Sequence, residues 1–413
     1  AYLWNTENIT NMSAVFNLAT LFNGNIATWN TENVTNMGVM FGSAYNFNQN
    51  IGNWNTSNVT NMSGMFSAAT TFNQNIGNWN TSNVTNMSGM FSAATTFNQN
   101  IGNWNTEKVT DMNSMFYGST AFNQNIGNWI TDNVNNMSYM FSSATSFNQN
   151  IGNWNTENVT NMTQMFLGAI SFNQDLNWNT GNVINMSYMF NNASAFNGNI
   201  NAWNTNNVTN MFYMFRDASS FNQNIGTWNT GSVSNMGFMF YNASSFNQNI
   251  GNWTLNSSVN MALMLNNSGL DCNNYSYTLI GWSNNPATPN GRNLGATGLE
   301  YGTSAVAART NLDITKTWTF TGDIASGNYC NDNFITTWQL PVGVTSLTIT
   351  PERVGGAVAY TWNQIPSGAI GSGSIAVGTG NATISGLPSG GNIILTLEPT
   401  NLKRFRILSV ANR

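Results

Sequence analysis

Apolar residues recur along the first part of the chain with a period of 25 residues. The repeat tryptophans mark this period, with a single interval of 24 residues between Trp154 and Trp178. They are Trp4, Trp29, Trp54, Trp79, Trp104, Trp129, Trp154, Trp178, Trp203, Trp228 and Trp253. A fixed period of this size predicts a solenoid, in which stacked repeats share one continuous core.

The unit 54–78, WNTSNVTNMSGMFSAATTFNQNIGN, shows which positions we expect to face that core. Its apolar positions are Trp54, Val59, Met62, Met65, Phe66, Ala69, Phe72 and Ile76. Met62, Met65, Phe66 and Ala69 have the i, i+3, i+4, i+7 spacing of one face of a short helix. We therefore predict a leucine-rich-repeat-like coil, with short parallel strands and a short helical turn in each repeat.

Asparagine and threonine also form columns in the repeat. One asparagine follows the second phenylalanine of every complete unit: Asn23, Asn48, Asn73, Asn98, Asn123, Asn148, Asn173, Asn197, Asn222 and Asn247. We interpret this column as a structural ladder of stacked amides rather than a binding surface. The threonine column, Thr31, Thr56, Thr81, Thr106, Thr131 and Thr156, is interpreted as solvated turn residues, with a flat ice-ordering face as a remote alternative.

Composition excludes most chemistry. Charged residues are 6% of the chain, the net charge is −5 and histidine is absent. A basic face for nucleic acid is missing, and so is the commonest general base and metal ligand. We therefore predict a protein that is not an enzyme, with no catalytic residues, no cofactor and no metal site. Cys272 and Cys330 are either a disulfide or two unrelated thiols.

The repeat pattern ends near residue 265, which predicts a solenoid of about eleven repeats over residues 1–265. In the last unit Leu265 takes the place of the first ladder phenylalanine and Asp271 that of the second. Residues 266–330 are predicted to be the C-terminal solenoid cap, with a helix at 304–312. Residues 333–413 contain six or seven alternating segments divided by Gly, Pro and Ser turns, which predicts a small β-sandwich.

The motifs Asn-Val-Thr-Asn-Met, Met-Phe and Phe-Asn-Gln, which follow each tryptophan in this order, resemble a known bacterial repeat. It is the surface-protein repeat of about 25 residues related to the BspA-like leucine-rich repeats. YTLIGW, AARTNL and TWTFTGD resemble the segment that closes such arrays, and FITTWQL resembles the start of an immunoglobulin-like or PKD-like module. The resemblance implies an exported, cell-surface protein with a role in adhesion or surface structure, and it carries over no catalytic residue.

The leading functional prediction is a structural or adhesive extracellular protein, a module of a surface fibre or giant adhesin. Residues 54–78 and 79–103 are identical, which suits a spacer better than a tailored pocket. The alternative is a surface receptor that binds glycan or protein on the solenoid face. Neither reading includes a nucleic-acid partner or a membrane span.

The expected partners are other copies of the chain, or neighbouring modules of it, packed head to tail. Trp4 opens the array almost at residue 1, so we expect the apolar ladder of the first repeat either to continue into upstream sequence or to dock on another chain. The last predicted strand is basic and is the expected partner in such a head-to-tail contact. The predicted contact residues are Trp4, Phe16, Phe22, Lys403, Arg404 and Arg406.

Overall fold

The computed structural model describes residues 4–327, 330, 334–340, 342, 345–353, 358–365, 370–375, 382–389, 391–397 and 402–410. The chain divides into two compact units. The first comprises Ala1–Glu300 and Ala305–Ile324, and the second comprises Tyr301–Ser304 and Ala325–Arg413. The predicted boundary at residue 265 therefore falls inside the first unit, which contains both the repeats and most of the predicted cap.

Neighbouring repeats are joined by parallel backbone bridges, one residue per repeat. They run from Asn11↔Asn36 to Asn235↔Asn260 and continue across the short interval as Asn161↔Asn185. The same position of each repeat therefore lies beside its counterpart in the next. A solenoid requires this arrangement, and the assignment to the leucine-rich-repeat-like solenoid class stays a prediction.

The predicted helical turn over residues 62–69 is wrong, since these residues form a series of tight turns. The backbone N–H groups of Met62, Gly64 and Phe66 donate to carbonyls of the next repeat at 2.8–3.0 Å. Met65 N–H donates three residues back, to the carbonyl of Met62 at 3.2 Å. Gly64 has a φ of +59° and Ala68 a φ of +57°, which an α-helix excludes. The amides thus serve contacts between repeats instead of i→i−4 bonds.

The predicted inward columns form the core. Phe66, Phe91 and Phe116 are fully buried, and so are the Val, Met and Ile positions of the same repeats. Phe66 and Phe91 stack with ring centroids 5.7 Å apart, while Trp54 and Trp79 stack at 6.5 Å. The core is therefore a set of parallel side-chain ladders, and its burial confirms that these columns face inward.

The threonine column lies inside the array, so its interpretation as solvated turns, or as an ice-ordering face, is wrong. Thr56, Thr81 and Thr106 are each 1% exposed. The Thr81 hydroxyl donates to the carbonyl of Asn105 in the next repeat at 2.9 Å, and Thr56 does the same to Asn80 at 3.0 Å. The column therefore joins repeats from within.

The asparagine ladder is confirmed as structural. Asn98 Oδ1 accepts from the backbone N–H of Asn123 and from Nε2 of Gln124, both at 2.9 Å. The backbone N–H of Asn98 in turn donates to Oδ1 of Asn73 at 3.0 Å. Each asparagine side-chain oxygen thus accepts the hydrogen bond of a backbone N–H in the next repeat, in the role that a backbone carbonyl has elsewhere.

The last repeat is one residue shorter at this point than the period predicts, so the expected placement of Asp271 in the phenylalanine column is wrong. Leu270, 5% exposed, occupies the core where the spacing places Asp271. Asp271 instead continues the asparagine ladder, since its backbone N–H donates to Oδ1 of Asn247 at 2.9 Å. Its Oδ1 also accepts from Asn274 N–H at 2.8 Å, which caps the helix α1, Cys272–Asn284. This helix buries Tyr275, Ser276, Thr278, Leu279 and Trp282.

The segment that follows α1 continues the parallel pairing with different elements. Strand β1, Asn293–Gly295, is joined to the last repeat by a parallel bridge between its Leu294 and Met261. On its other side it pairs in parallel with β3, Thr319–Thr321. The two-residue strands β2, Glu300–Tyr301, and β4, Ile324–Ala325, pair with each other. Between them a helical stretch comprises a 3₁₀ turn, Thr303–Ala305, α2, Val306–Thr310, and a π turn, Asn311–Thr315. The predicted helix at 304–312 is therefore confirmed.

The second unit contains seven strands in two antiparallel sheets among its described residues. The sheet β5-β10-β7-β8 comprises Phe334–Leu340, Gly391–Leu397, Val358–Ile365 and Ile370–Ile375. The sheet β11-β6-β9 comprises Leu402–Val410, Ser346–Arg353 and Ala382–Ser385. The seven strands agree in number with the six or seven alternating segments, although β8 begins three residues before the segment 373–378 that its pattern predicts. The sandwich class and the immunoglobulin-like identity stay predictions.

Candidate functional site

The described residues contain no cluster of three or more Cys, Asp or Glu side chains that could hold a metal ion. Among the same residues, no helix is both long and apolar enough to cross a membrane. Cys272 and Cys330 are both disulfide-bonded and neither is a free thiol.

The aromatic residues predicted to form an inter-subunit contact lie together in the first repeat. Trp4 is 57% exposed and stacks on Trp29 at 5.4 Å and on Phe16 at 6.4 Å. Phe16 is 8% exposed and stacks on the half-buried Phe22 at 3.8 Å. Trp4 is thus the accessible member of the three.

The basic residues of that predicted contact lie on β11, an edge strand of its sheet. Arg404 is opposite Glu352 and Arg406 is opposite Thr350 on β6. The side chains of Lys403, Arg404 and Arg406 lie outside the described residues, so the head-to-tail contact stays a prediction.

One side of the array presents asparagine and threonine from successive repeats. An open groove of about 550 Å³ is lined there by Asn158, Thr160, Asn182, Ile184, Asn207 and Thr209. Nδ2 of Asn158 donates to the carbonyl of Asp132 at 2.7 Å, and the Thr209 hydroxyl donates to that of Ile184 at 3.3 Å. Since these donors are used between repeats, the groove offers a ligand mainly oxygen acceptors.

A second surface is aromatic, and reasoning on the sequence missed it. Tyr188, Tyr213 and Phe238 occupy the same position in three consecutive repeats, ten residues after the tryptophan. Their rings are half-buried and stack at 4.9 Å and 4.6 Å between centroids. Phe212 packs edge-on against Tyr213 at 4.2 Å. We refer to these four residues as the aromatic strip.

Arg216 and Asp217 lie beside the aromatic strip. The Arg216 guanidinium lies 4.9 Å from the ring centroid of Tyr213 and 5.5 Å from that of Tyr241. Its Nε is 3.0 Å from Oδ2 of Asp217, whose Oδ1 accepts from Nδ2 of Asn242 at 2.9 Å. The strip is therefore bordered by one cation and one anion that neutralise each other.

Burial raises the pKa of the Tyr188 phenol, and the neighbouring Tyr213 raises it further. Arg216 opposes this shift, since a nearby cation favours the phenolate. The net direction is upward, so Tyr188 is neutral at physiological pH and can both donate and accept a hydrogen bond.

A further cluster, in the cap, is structural. Arg309 binds Asp323 through Nε to Oδ2 at 2.8 Å and through Nη2 to Oδ1 at 3.2 Å. Its guanidinium lies 3.4 Å from the centroid of the Phe320 ring, and the Tyr275 hydroxyl donates to Asp323 at 3.0 Å. Because the Asp323 side chain is only 3% exposed, this network joins chain segments rather than offering a site to a ligand.

Comparison with known protein families agrees with the repeat architecture. The family described as "Mycoplasma protein of unknown function, DUF285" matches three overlapping stretches in tandem, residues 2–103, 86–177 and 176–277. No curated protein matches the chain. The three matches cover the region in which parallel bridges join one repeat to the next. The chain is therefore a repeat protein that belongs to the DUF285 family.

Proposed function

We propose that this protein is a non-enzymatic, extracellular structural or adhesive repeat protein that acts as a module of a surface fibre or giant adhesin. The observation that carries the proposal is the continuity of bonding between repeats. Core rings, buried threonine hydroxyls and the asparagine ladder each bridge one repeat to the next at the same position. Such bonding suits a stiff spacer, because every repeat is held by the one before it and the one after it.

Two observations support export to the cell surface. Both cysteines are in disulfide form, which persists in oxidising compartments. The repeat also resembles the BspA-like surface repeats. On this proposal the array is a leucine-rich-repeat-like solenoid with a cap, and the strands after residue 333 are an immunoglobulin-like sandwich that continues a longer assembly.

The second candidate function, a surface receptor for a glycan or protein, is favoured by the aromatic strip. The repeats share their core columns but differ at this partly accessible position, since Gly64 and Gly89 occupy the place that Tyr188 and Tyr213 take. A local change of this kind is typical of a recognition surface carried on a uniform scaffold.

Protease treatment of intact producing cells tests the location. A cell-surface protein is digested by external proteinase K while a cytoplasmic marker in the same cells stays intact. Loss of this protein only after lysis would overturn the extracellular assignment.

Light scattering tests the assembly, with the purified chain measured beside a form that lacks residues 333–413. Head-to-tail packing predicts that the full chain grows with concentration and the shortened form does not. If both forms stay monomeric at high concentration, the fibre is wrong and a module within one long polypeptide becomes the better account.

A further inference from the structure

The position ten residues after each repeat tryptophan has a left-handed backbone in every repeat. Its φ is +59° at Gly64 and Gly89, where glycine adopts it freely. The same position has φ values of +58° at Tyr188, +61° at Tyr213 and +56° at Phe238. Bulky residues are disfavoured in this conformation. The column nevertheless contains other bulky residues with φ values of +55° to +61°: Val39, Tyr139, Gln164 and Leu263. What distinguishes the three consecutive repeats is that each carries an aromatic ring and that these rings stack on one another.

The rings form one continuous surface that follows the direction of repeat stacking. Tyr188 stacks on Tyr213 with an interplanar angle of 21°, and Tyr213 stacks on Phe238 at 24°. Phe212 meets Tyr188, Tyr213 and Phe238 edge-on, at centroid distances of 5.5, 4.2 and 6.1 Å. All four side chains are partly accessible. The result is a narrow apolar strip on an otherwise amide-rich surface.

The polar groups beside the strip supply both senses of hydrogen bond. The Arg216 side chain is 37% exposed and donates, while the Asp217 side chain is 32% exposed and accepts. Because the two form an ion pair at 3.0 Å, they present no net charge to a ligand. A hydroxyl group, which donates and accepts at once, suits such a pair better than a carboxylate or an ammonium group does.

We propose that the aromatic strip, with Arg216 and Asp217, binds a neutral oligosaccharide. Pyranose rings combine an apolar C–H face, which packs against aromatic side chains, with hydroxyls that match the paired donor and acceptor. The ring stack covers only two repeat intervals, whereas a stable protein interface uses about 20–30 residues a side. This inference rests on the receptor function given above as the second candidate, and it names the class of ligand.

The test is titration calorimetry of the full chain with maltohexaose, mannohexaose and chitohexaose as neutral probes. The variant is Tyr213→Ser, since Ser114 already occupies the equivalent left-handed position with a φ of +55°. The matched control is Tyr117→Ser, which removes a tyrosine that is 42% exposed and lies outside the strip. Ser67 and Ser92 occupy the position of Tyr117 in other repeats, so both substitutions place serine where the fold already accepts it.

We expect at least one probe to bind the wild-type chain, roughly tenfold more weakly after Tyr213→Ser and unchanged after Tyr117→Ser. Arg216→Gln is expected to lower the affinity for the same probe. Thermal melts of all variants show whether each is folded. If Tyr213→Ser is not folded, Phe238→Ser, a second substitution in the strip, takes its place in the titration. Absence of binding by all three probes overturns the proposal, as does an equal loss in the Tyr117 control.

Binding confined to an acidic glycan such as polysialic acid, or to a protein, would also overturn the assignment to a neutral sugar. The adhesive function is judged separately, since protease accessibility on cells and light scattering do not depend on Tyr213. A chain that is surface-exposed but binds no sugar would refute the strip and keep the structural role.

Discussion

Thr81 shows that one polar side chain can belong to the core of a repeat array. Its hydroxyl reaches the carbonyl of Asn105 in the next repeat at 2.9 Å, and 1% of the residue is exposed. The sequence contains a signal for this, since Thr81 lies two residues after the buried Trp79. In an extended segment residues i and i+2 share a face. Composition alone, which treats threonine as a surface residue, gives the opposite answer.

Replacing Thr81 by valine keeps the shape and removes the donor. The Asn105 carbonyl then loses this hydrogen bond inside the protein, at a cost of about 1–3 kcal/mol in free energy of unfolding. Thr85→Val is the matched control, because Thr85 is exposed and its hydroxyl donates at 3.3 Å to Thr60. Chemical denaturation should show a change under about 0.5 kcal/mol for the control. Similar losses for both variants would contradict the buried role of Thr81.

Tyr188 predicts a loss of stability at alkaline pH. Its pKa is raised in the folded protein, so its contribution is complete below the unfolded value of about 10 and falls as the pH rises through the folded value. Melting temperatures at pH 9 and pH 11 should therefore differ less in Tyr188→Phe than in the wild-type chain. An identical decline in both proteins would show that other groups account for it.

At the scale of the element, the turn series over residues 62–69 shows the limit of periodicity. The spacing i, i+3, i+4, i+7 predicts a helix, but successive tight turns return side chains to one face at the same intervals. The signal in the sequence that distinguishes tight turns from a helix is a glycine at the same place in both identical repeats, Gly64 and Gly89. Both glycines have a positive φ in the structure. Hydrogen bonds between repeats decide the outcome, and a single repeat does not contain them.

The aromatic strip was missed for a related reason. Invariant columns identify the core, whereas Tyr188, Tyr213 and Phe238 lie in a column that varies between glycine and bulky residues. Sequence alignment of the repeats places these rings in one column. It does not reveal that the column is left-handed and partly accessible, with ring centroids 4.6–4.9 Å apart.

The asparagine ladder gives a prediction for a whole element. Asn98→Ala removes the oxygen that accepts from Asn123 N–H and Gln124 Nε2, so we expect a loss of about 1–3 kcal/mol. Asn98→Asp keeps that acceptor and should lose less than half as much. Asp111, which accepts from the N–H of Asn113 at 2.9 Å in another column, shows that the fold accepts the exchange. Equal losses in urea denaturation would mean that the acceptor oxygen is not what matters.

At the scale of the whole molecule, the identity of residues 54–78 and 79–103 permits a deletion that creates no new junction. Removing residues 79–103 leaves each remaining repeat beside the sequence it already contacts. We expect a folded array that is shorter by one repeat, about 4.8 Å, with a slightly lower melting temperature and unchanged cooperativity.

Removing only residues 79–90 is the control for that deletion, since it brings unlike positions of neighbouring repeats together. Circular dichroism and limited proteolysis should find the shorter deletion unfolded in this region. A complete-repeat deletion that is equally protease-sensitive would show that stability is not shared between nearest neighbours.

All 21 methionines of the chain are no more than 2% exposed, so an oxidised methionine records that its repeat has opened at some time. While the repeats are closed, peroxide cannot reach a thioether. Once a repeat opens, oxidation to the sulfoxide places a polar group where the core accepts only an apolar one. The damaged repeat then no longer packs against its neighbours, which open more readily in turn. Sulfoxide content, read by mass spectrometry, thus counts past openings rather than present ones.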